Sequence, residues 1–142
     1  MRPGGAAVVA PDRRMVCRDG GVAGAYKKQA QLYRRIVRAL AIPAAFAVLV
    51  DDGGVGALSF GAIHRGLICY ESVVTNPQRL RRGYARRVIA SLAAWAAERG
   101  ATGACLEVEA ANASALALYD RLGFSELYRY HYRRQPSPVP PP

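Results

Sequence analysis

An arginine cluster surrounds a glycine at the point where a strand-like segment leads into a helix-like one. Segment 79–87 holds five arginines and two small residues: Arg79, Arg81, Arg82, Arg86, Arg87, Gly83 and Ala85. The small residues let a ligand approach the backbone closely. The first N–H groups of a helix have no intrahelical partner, and the helix dipole adds about half a positive charge there. The segment therefore predicts an anion site suited to phosphates.

Two glutamates lie on predicted strands where an acidic side chain is unexpected. On the predicted strand Ala104–Glu109, Glu107 shares a face with Cys105. A strand inside an α/β layer is expected to be apolar on both faces, so Glu107 either faces a cleft or pairs with an arginine. Glu71, on the predicted strand Leu67–Thr75, leaves the same two alternatives open. A carboxylate that faces a cleft can act as a general base.

A hydroxyl and an amide mark the last predicted helix. Asn112 precedes the helix Ala113–Leu122 and is a favourable N-cap residue. Tyr119 follows seven residues later, two turns along the same face. Its residue type alone leaves open a half-buried packing role or a proton-donating hydroxyl.

The first half of the chain predicts a helix followed by an antiparallel meander. Residues 1–21 form an irregular segment with strand candidates at Ala6–Ala10 and Met15–Cys17. Apolar residues at helical spacing predict an amphipathic helix over Ala23–Ala41, which ends before Pro43. Short turns then join three predicted strands, which makes neighbouring strands antiparallel; they are Ala45–Val50, Val55–His64 and Leu67–Thr75.

The second half alternates helices and strands. The helix Gly83–Arg99 ends at Gly100 and buries one face, formed by Ala85, Val88, Ile89, Leu92 and Ala96. The strand Ala104–Glu109 and the helix Ala113–Leu122 follow. A last strand is predicted at Glu126–Arg133, with Tyr128, Tyr130 and Tyr132 on a core-facing side, and Pro136–Pro142 is a disordered tail.

Length and charge bound the class of protein. A chain of 142 residues suffices for one domain with one core. The net charge of +10 comes mostly from arginine and favours acidic partners. The arginine cluster lacks the interleaved aromatic series that base stacking requires, so nucleic-acid binding is not expected. Membrane insertion is not expected either, because the most apolar stretch, Leu40–Val50, is shorter than the ~20 residues a spanning helix needs.

The three cysteines, Cys17, Cys69 and Cys105, are odd in number and fit no metal or redox spacing. They predict free, buried thiols in a reducing compartment and no metal site. Met1–Ala10 lacks the apolar stretch of a signal peptide. A cytoplasmic location follows from these expectations.

Two motifs carry a family resemblance. The first, P-x5-G-x-A, comprises Pro77, Gly83 and Ala85; the second, N-x2-A-x2-L-Y-x3-G-F, comprises Asn112, Ala115, Leu118, Tyr119, Gly123 and Phe124. Together they resemble the acetyl-CoA-binding core of the GNAT N-acetyltransferase superfamily. L-E-V at Leu106–Val108 is similar to the ribosomal-protein N-terminal acetyltransferases in particular. One position departs from the family pattern, because Leu80 stands where Arg or Gln is usual.

The resemblance implies an α/β (α+β) fold of the GNAT type over residues 22–135. Its central sheet would be mixed, an antiparallel meander followed by βαβα, with helices on both faces. The implied activity is transfer of an acetyl group from acetyl-CoA to a primary amine, by direct attack in a ternary complex. The amine would belong to a small molecule or a protein N-terminus, and the protein would be a monomer or homodimer. The alternative is a non-catalytic acyl-CoA-binding or regulatory module, or the C-terminal part of a longer acyltransferase.

The resemblance also assigns roles to residues. Tyr119 takes the position of the general acid, Glu107 that of the base, and Glu71 is the rival base. Residues that would contact acetyl-CoA lie on the strand before the loop, in the loop and on the last helix: Val73, Val74, Thr75, Arg81, Arg82, Gly83, Tyr84, Ala85, Arg86, Asn112 and Tyr119.

Overall fold

The computed structural model describes residues 6–9 and 35–133. The chain forms two compact units, Met1–Glu107 and Val108–Pro142. Residues 35–39 are helical (α1) and fall within the predicted helix Ala23–Ala41. Three predicted features lie outside the described residues: the part of that helix before residue 35, the strand candidate Met15–Cys17 and the tail Pro136–Pro142. The domain limits 22–135 remain a prediction.

The first unit contains a five-stranded mixed sheet in the order β1-β2-β3-β4-β5. Strands β1 to β4 are antiparallel neighbours, and β5 runs parallel to β4. The strands are β1 (Ala6–Val9), β2 (Ala44–Asp51), β3 (Gly54–His64), β4 (Leu67–Thr75) and β5 (Gly103–Leu106). The predicted mixed sheet with an antiparallel meander is confirmed.

Helix α2 (Tyr84–Ala97) connects β4 to β5 and packs against β1 to β4. A parallel pair needs such a crossover, because a hairpin can join only antiparallel strands. Four of the five residues predicted to face inward are buried, namely Val88, Ile89, Leu92 and Ala96. Ala85 is half-buried because it lies in the first turn. The small side chains of Ala45 and Ala47 on β2 are fully buried in the core.

Strand β5 is shorter than predicted. It ends at Leu106, whereas the sequence pattern extended it to Glu109. Its ladder with β4 stops at the pair Tyr70–Leu106, so the residues beyond have no strand partner within the first unit. Glu107 therefore lies just past the strand, and it is exposed.

The second unit contains α3 (Ala113–Arg121) and an extended segment after it. The predicted strand Glu126–Arg133 was wrong: residues 124–133 form no strand. The described part of this unit holds no strand that could supply the ladder hydrogen bonds, and a strand exists only when they are made. The predicted core packing of its three tyrosines was also wrong, since each has at least half its surface exposed: Tyr128, Tyr130 and Tyr132.

Across residues 6–9 and 35–133, no helix combines the length and apolar composition that a membrane crossing requires.

Candidate functional site

Strand β4 continues past the end of β5. The two strands pair over Leu67–Tyr70 and Gly103–Leu106, and β4 then runs on for the segment Glu71–Thr75. Within the described first unit, only β3 pairs with that segment, so its other edge is open. An open strand edge presents backbone N–H and C=O groups that an extended ligand can pair with. This segment includes all three β4 residues that the sequence assigned to cofactor binding.

A β-bulge interrupts the same part of β4. Phe60 pairs with Glu71 and Leu58 with Val74, so two β4 residues lie opposite the single residue Ser59. Ser72 has a left-handed φ of 50°. The buried Ser59 hydroxyl donates a hydrogen bond of 3.0 Å to the Glu71 carbonyl. The sequence carried no sign of this bulge, because a serine in the left-handed region replaces the glycine that usually marks one.

The loop after β4 is a short, well-bonded connection to α2. A 3₁₀ turn at Pro77–Arg79 is capped by Asn76, whose side chain accepts a hydrogen bond of 2.9 Å from the Gln78 N–H. Left-handed φ angles follow at Arg81 (61°) and Gly83 (71°). A Cβ atom placed on Gly83 would meet nothing within 4 Å, so the space above the glycine is open to a ligand.

The start of α2 has the properties of an anion site. No side chain caps the helix, and its first turn contains no acidic residue. Three arginines predicted to bind the cofactor are exposed, and no carboxylate in the described ranges pairs with them: Arg81, Arg82 and Arg86. Free N–H groups, the helix dipole and these guanidinium groups together favour a phosphate here.

The Tyr84 side chain has a partner that the sequence did not predict. Its hydroxyl donates a hydrogen bond of 2.8 Å to Asp51 Oδ2, at the end of β2. Asp51 also accepts a hydrogen bond from the Arg79 guanidinium, so one carboxylate binds the side chains of both Tyr84 and Arg79. Only the backbone N–H of Tyr84, at the first position of α2, remains suited to an anion. Sequence analysis assigned no functional role to Asp51, because the residue falls in the short turn predicted between the strands Ala45–Val50 and Val55–His64.

The two candidate bases lie around the same thiol. Glu71 Oε1 is 3.9 Å from Cys69 Sγ, and Cys69 and Cys105 are register partners on β4 and β5. Burial, then Cys105, then the charges of Glu71 and Glu107 raise the pKa of the Cys69 thiol to about 12. The sequence treated the glutamates as rivals on separate strands, and the structure brings both to one end of the β4–β5 ladder.

The raised pKa of Cys69 predicts an unreactive thiol. Because its pKa moves from 9.0 to about 12, its thiolate fraction at pH 8 should fall about a thousandfold, and thiolate is the form that reacts. Iodoacetamide should therefore label Cys69 far more slowly in the folded protein than in guanidinium chloride, as peptide mass mapping would measure. Glu71→Gln removes one charge that raises the pKa and should speed labelling. Equal labelling of folded and unfolded chains would contradict this environment.

The second unit carries the other two candidate residues. Asn112 caps α3, since its side chain accepts a hydrogen bond of 3.1 Å from the Ala115 N–H, as predicted. Tyr119 is buried, with its ring edge-on to Phe124 at 5.8 Å between centroids. Burial raises the pKa of the Tyr119 phenol, so the hydroxyl keeps its proton at neutral pH. These features suit both the packing role and the role of proton donor.

Comparisons with known proteins identify the family. The family model for the acetyltransferase (GNAT) family matches residues 22–124, well over half of the chain. YobR of Bacillus subtilis (strain 168), an uncharacterized N-acetyltransferase, is 28% identical over 101 residues, which cover 71% of this chain and 41% of YobR. The chain thus spans about two fifths of that relative's length.

Solved structures of low sequence identity share the fold. AAC(6')-Iy, in complex with the bisubstrate analogue CoA-S-monomethyl-acetylneamine, gives a TM-score of 0.64 at 17% identity, over 80% of this chain and 83% of that one. Glucosamine-6-phosphate N-acetyltransferase from Arabidopsis thaliana gives 0.59 at 15% identity, over 82% of each chain. The narrower likeness to ribosomal-protein N-terminal acetyltransferases stays a prediction. The fold, the loop motif and the family match agree, and the chain belongs to the acetyltransferase (GNAT) family.

Proposed function

We propose that this chain is an acetyl-CoA-dependent N-acetyltransferase that acylates a primary amine. One observation carries the proposal: the open edge of β4 leads directly, through an eight-residue connection at 76–83, to an uncapped helix start with exposed arginines. Acetyl-CoA has an extended arm with two amides at one end and phosphates at the other. A strand edge followed by an anion site matches that order of groups.

The β4 edge would hold the pantetheine arm. Val73, Val74 and Thr75 lie past the end of β5, and Val74 is half exposed. The amides of the arm can pair with backbone groups there as a neighbouring strand would. The bulge at Ser72 lies at the start of this stretch and leaves one β4 residue without a ladder partner.

The loop and the start of α2 would hold the pyrophosphate. The open space at Gly83 admits phosphate oxygens close to the backbone. The uncapped N–H groups of Tyr84, Ala85 and Arg86 are the natural donors. Leu80, where the family usually has Arg or Gln, is exposed and offers no polar contact, so the remaining arginines would supply the side-chain charge.

The chemistry requires a free amine and a proton for the leaving group. The amine nitrogen attacks the thioester carbonyl, the C–N bond forms, and the C–S bond breaks. A carboxylate near the β4–β5 junction, Glu107 or Glu71, takes the proton from the amine, and a protonated tyrosine hydroxyl gives one to the thiolate. Tyr119 is proposed for that donor because it takes the position of the general acid in the family motif; its phenol, whose pKa burial raises, carries the proton at neutral pH. No covalent acyl-enzyme is needed.

The acceptor is either a small-molecule amine or a protein N-terminus. The test is the turnover of acetyl-CoA against a panel that contains aminoglycosides, amino sugars, polyamines and short peptides, with free thiol and product mass as readouts. Acetylated amine with release of CoA supports the enzyme. Binding of acetyl-CoA without turnover of any amine would instead favour a non-catalytic acyl-CoA-binding module.

The pH–rate profile should separate the two carboxylates. If Glu107 is the base, Glu107→Gln should remove the acidic limb of kcat/KM and move activity to higher pH, because only the free amine then reacts. Glu71→Gln should keep that limb. Glu109→Gln, the same change at an exposed neighbour, is the matched control. The reverse pattern would transfer the role to Glu71, and two unaltered profiles would mean that bulk water takes the proton.

A further inference from the structure

One carboxylate holds the residues on either side of segment 80–83, the part of the loop that leads into α2. Asp51 accepts hydrogen bonds from Arg79, from the Tyr84 hydroxyl at 2.8 Å and from the Gly53 N–H at 3.0 Å. Arg79 ends the 3₁₀ turn, and Tyr84 is the first residue of α2. We name Asp51, Arg79 and Tyr84 the Asp51 clasp.

The residues between the two ends of the clasp form the open part of the anion site. Residues 80–83 include the left-handed Arg81 and Gly83, and all of them are exposed. Left-handed backbone is unfavourable for arginine and persists only where the surrounding contacts impose it. The clasp supplies such contacts at both ends of the segment, and Arg79 adds a hydrogen bond of 3.2 Å to the Gly54 carbonyl.

Two glycines of the β2–β3 hairpin make room for the clasp. A Cβ atom on Gly53 would collide with the Arg79 guanidinium, and one on Gly56 would lie 2.6 Å from the Tyr84 ring. Neither glycine has a left-handed φ, so backbone conformation does not require a glycine at these positions. The close approach of the two clasp side chains does.

The charge of Asp51 has the wrong sign for binding a phosphate. A carboxylate near the anion site repels a pyrophosphate, and its removal should tighten binding if charge alone mattered. The clasp side chains are shielded, with the Arg79 and Asp51 side chains 13% and 21% exposed. A shielded, hydrogen-bonded carboxylate of unfavourable sign points to a role in geometry.

We infer that Asp51 is a positioning residue for acetyl-CoA, which sets the backbone of loop 80–83 and the start of α2 before the pyrophosphate arrives. The inference rests on the proposed function, since the loop would hold that pyrophosphate. Preorganised donors bind more tightly because the cost of ordering them has already been met.

The sign of the affinity change tests this role. Asp51→Asn should weaken CoA binding about tenfold in calorimetry, because a charged hydrogen-bonded pair is lost, while kcat at saturating acetyl-CoA stays within about twofold. Asp52→Asn makes the same charge change at an exposed neighbour and should leave binding unchanged or slightly tighter. Tyr84→Phe, which changes no charge, should reduce the affinity for CoA less than Asp51→Asn does. Thermal unfolding confirms that each variant is folded.

Hydrogen exchange gives a readout that does not depend on the ligand. Amides 81–86 should exchange faster in ligand-free Asp51→Asn than in Asp52→Asn or the unaltered chain, because the loop loses its anchor. Equal exchange in the two variants, or equal CoA affinity, would overturn the positioning role. Failure of the unaltered chain to bind CoA would instead overturn the proposed function. If amides 81–86 still exchanged faster in Asp51→Asn, the clasp would then only stabilise the loop.

Discussion

Tyr119→Phe should lower turnover by about 10²–10⁴-fold, the usual contribution of a positioned proton donor. The substitution removes one oxygen atom and keeps the ring that packs edge-on against Phe124. Cofactor affinity and the unfolding temperature should therefore change little. The measurements are kcat with both substrates saturating and the dissociation constant of CoA by calorimetry.

The pH dependence of the same variant gives a second check. Burial raises the pKa of the Tyr119 phenol above its ordinary value of 10.0. The donor is therefore protonated below pH 10, and any loss of rate from its ionisation should appear only above that pH. The phenylalanine variant should lack that alkaline limb. Tyr130→Phe, which removes a hydroxyl from an exposed tyrosine of the same unit, is the control. An unchanged rate, with chemistry rate-limiting, would remove Tyr119 from the mechanism.

Gly83→Asp should weaken CoA binding about a hundredfold, because it places a negative charge at the proposed pyrophosphate site. An added Cβ atom meets no neighbouring atom within 4 Å, and aspartate tolerates the left-handed φ of 71° better than most residues. The left-handed φ still strains any residue that has a Cβ, so the variant should lose some stability and remain folded, as a thermal melt would verify.

Gly83→Asn separates charge from occupancy at the same position. Asparagine has nearly the same size and a similar tolerance of the left-handed φ, but it does not repel phosphate. Its loss of CoA affinity should be much smaller than that of Gly83→Asp. If folded Gly83→Asp bound CoA as tightly as the unaltered chain, the pyrophosphate would have to bind elsewhere.

Local signals in the sequence sufficed for most of the elements that build the site. Period-two patterning and short turns located β2 to β4 to within a residue or two, and β4 without error. Helical periodicity gave the buried face of α2, and the capping preference of asparagine gave the start of α3 at Asn112. Each of these features depends on residues a few positions apart in the chain, so the local sequence is sufficient to predict it.

Features that depend on pairing between distant residues could not be predicted. Alternating apolar and polar residues predicted strands as far as Glu109 and over Glu126–Arg133. Such a pattern shows only that a segment is able to pair, and the described structure has no ladder partner at either place. The bulge at Ser72 arises from the offset between β3 and β4, which no residue of β4 alone determines.

The sequence by itself determined the family motifs, the prediction of an anion site at the loop around Gly83 and the choice of both candidate bases. Tertiary structure decided which side chains these residues lie beside. It brought Glu71 and Glu107 to one thiol. It also paired the side chains of Arg79 and Tyr84 with Asp51, which precedes them by 28 and 33 positions, so that neither side chain is available to a phosphate. The physical reason is that a side chain pairs with the groups that lie close to it in the folded chain. For Asp51, those distances depend on how the β2–β3 hairpin lies against the loop after β4, which is set by the pairing of the strands.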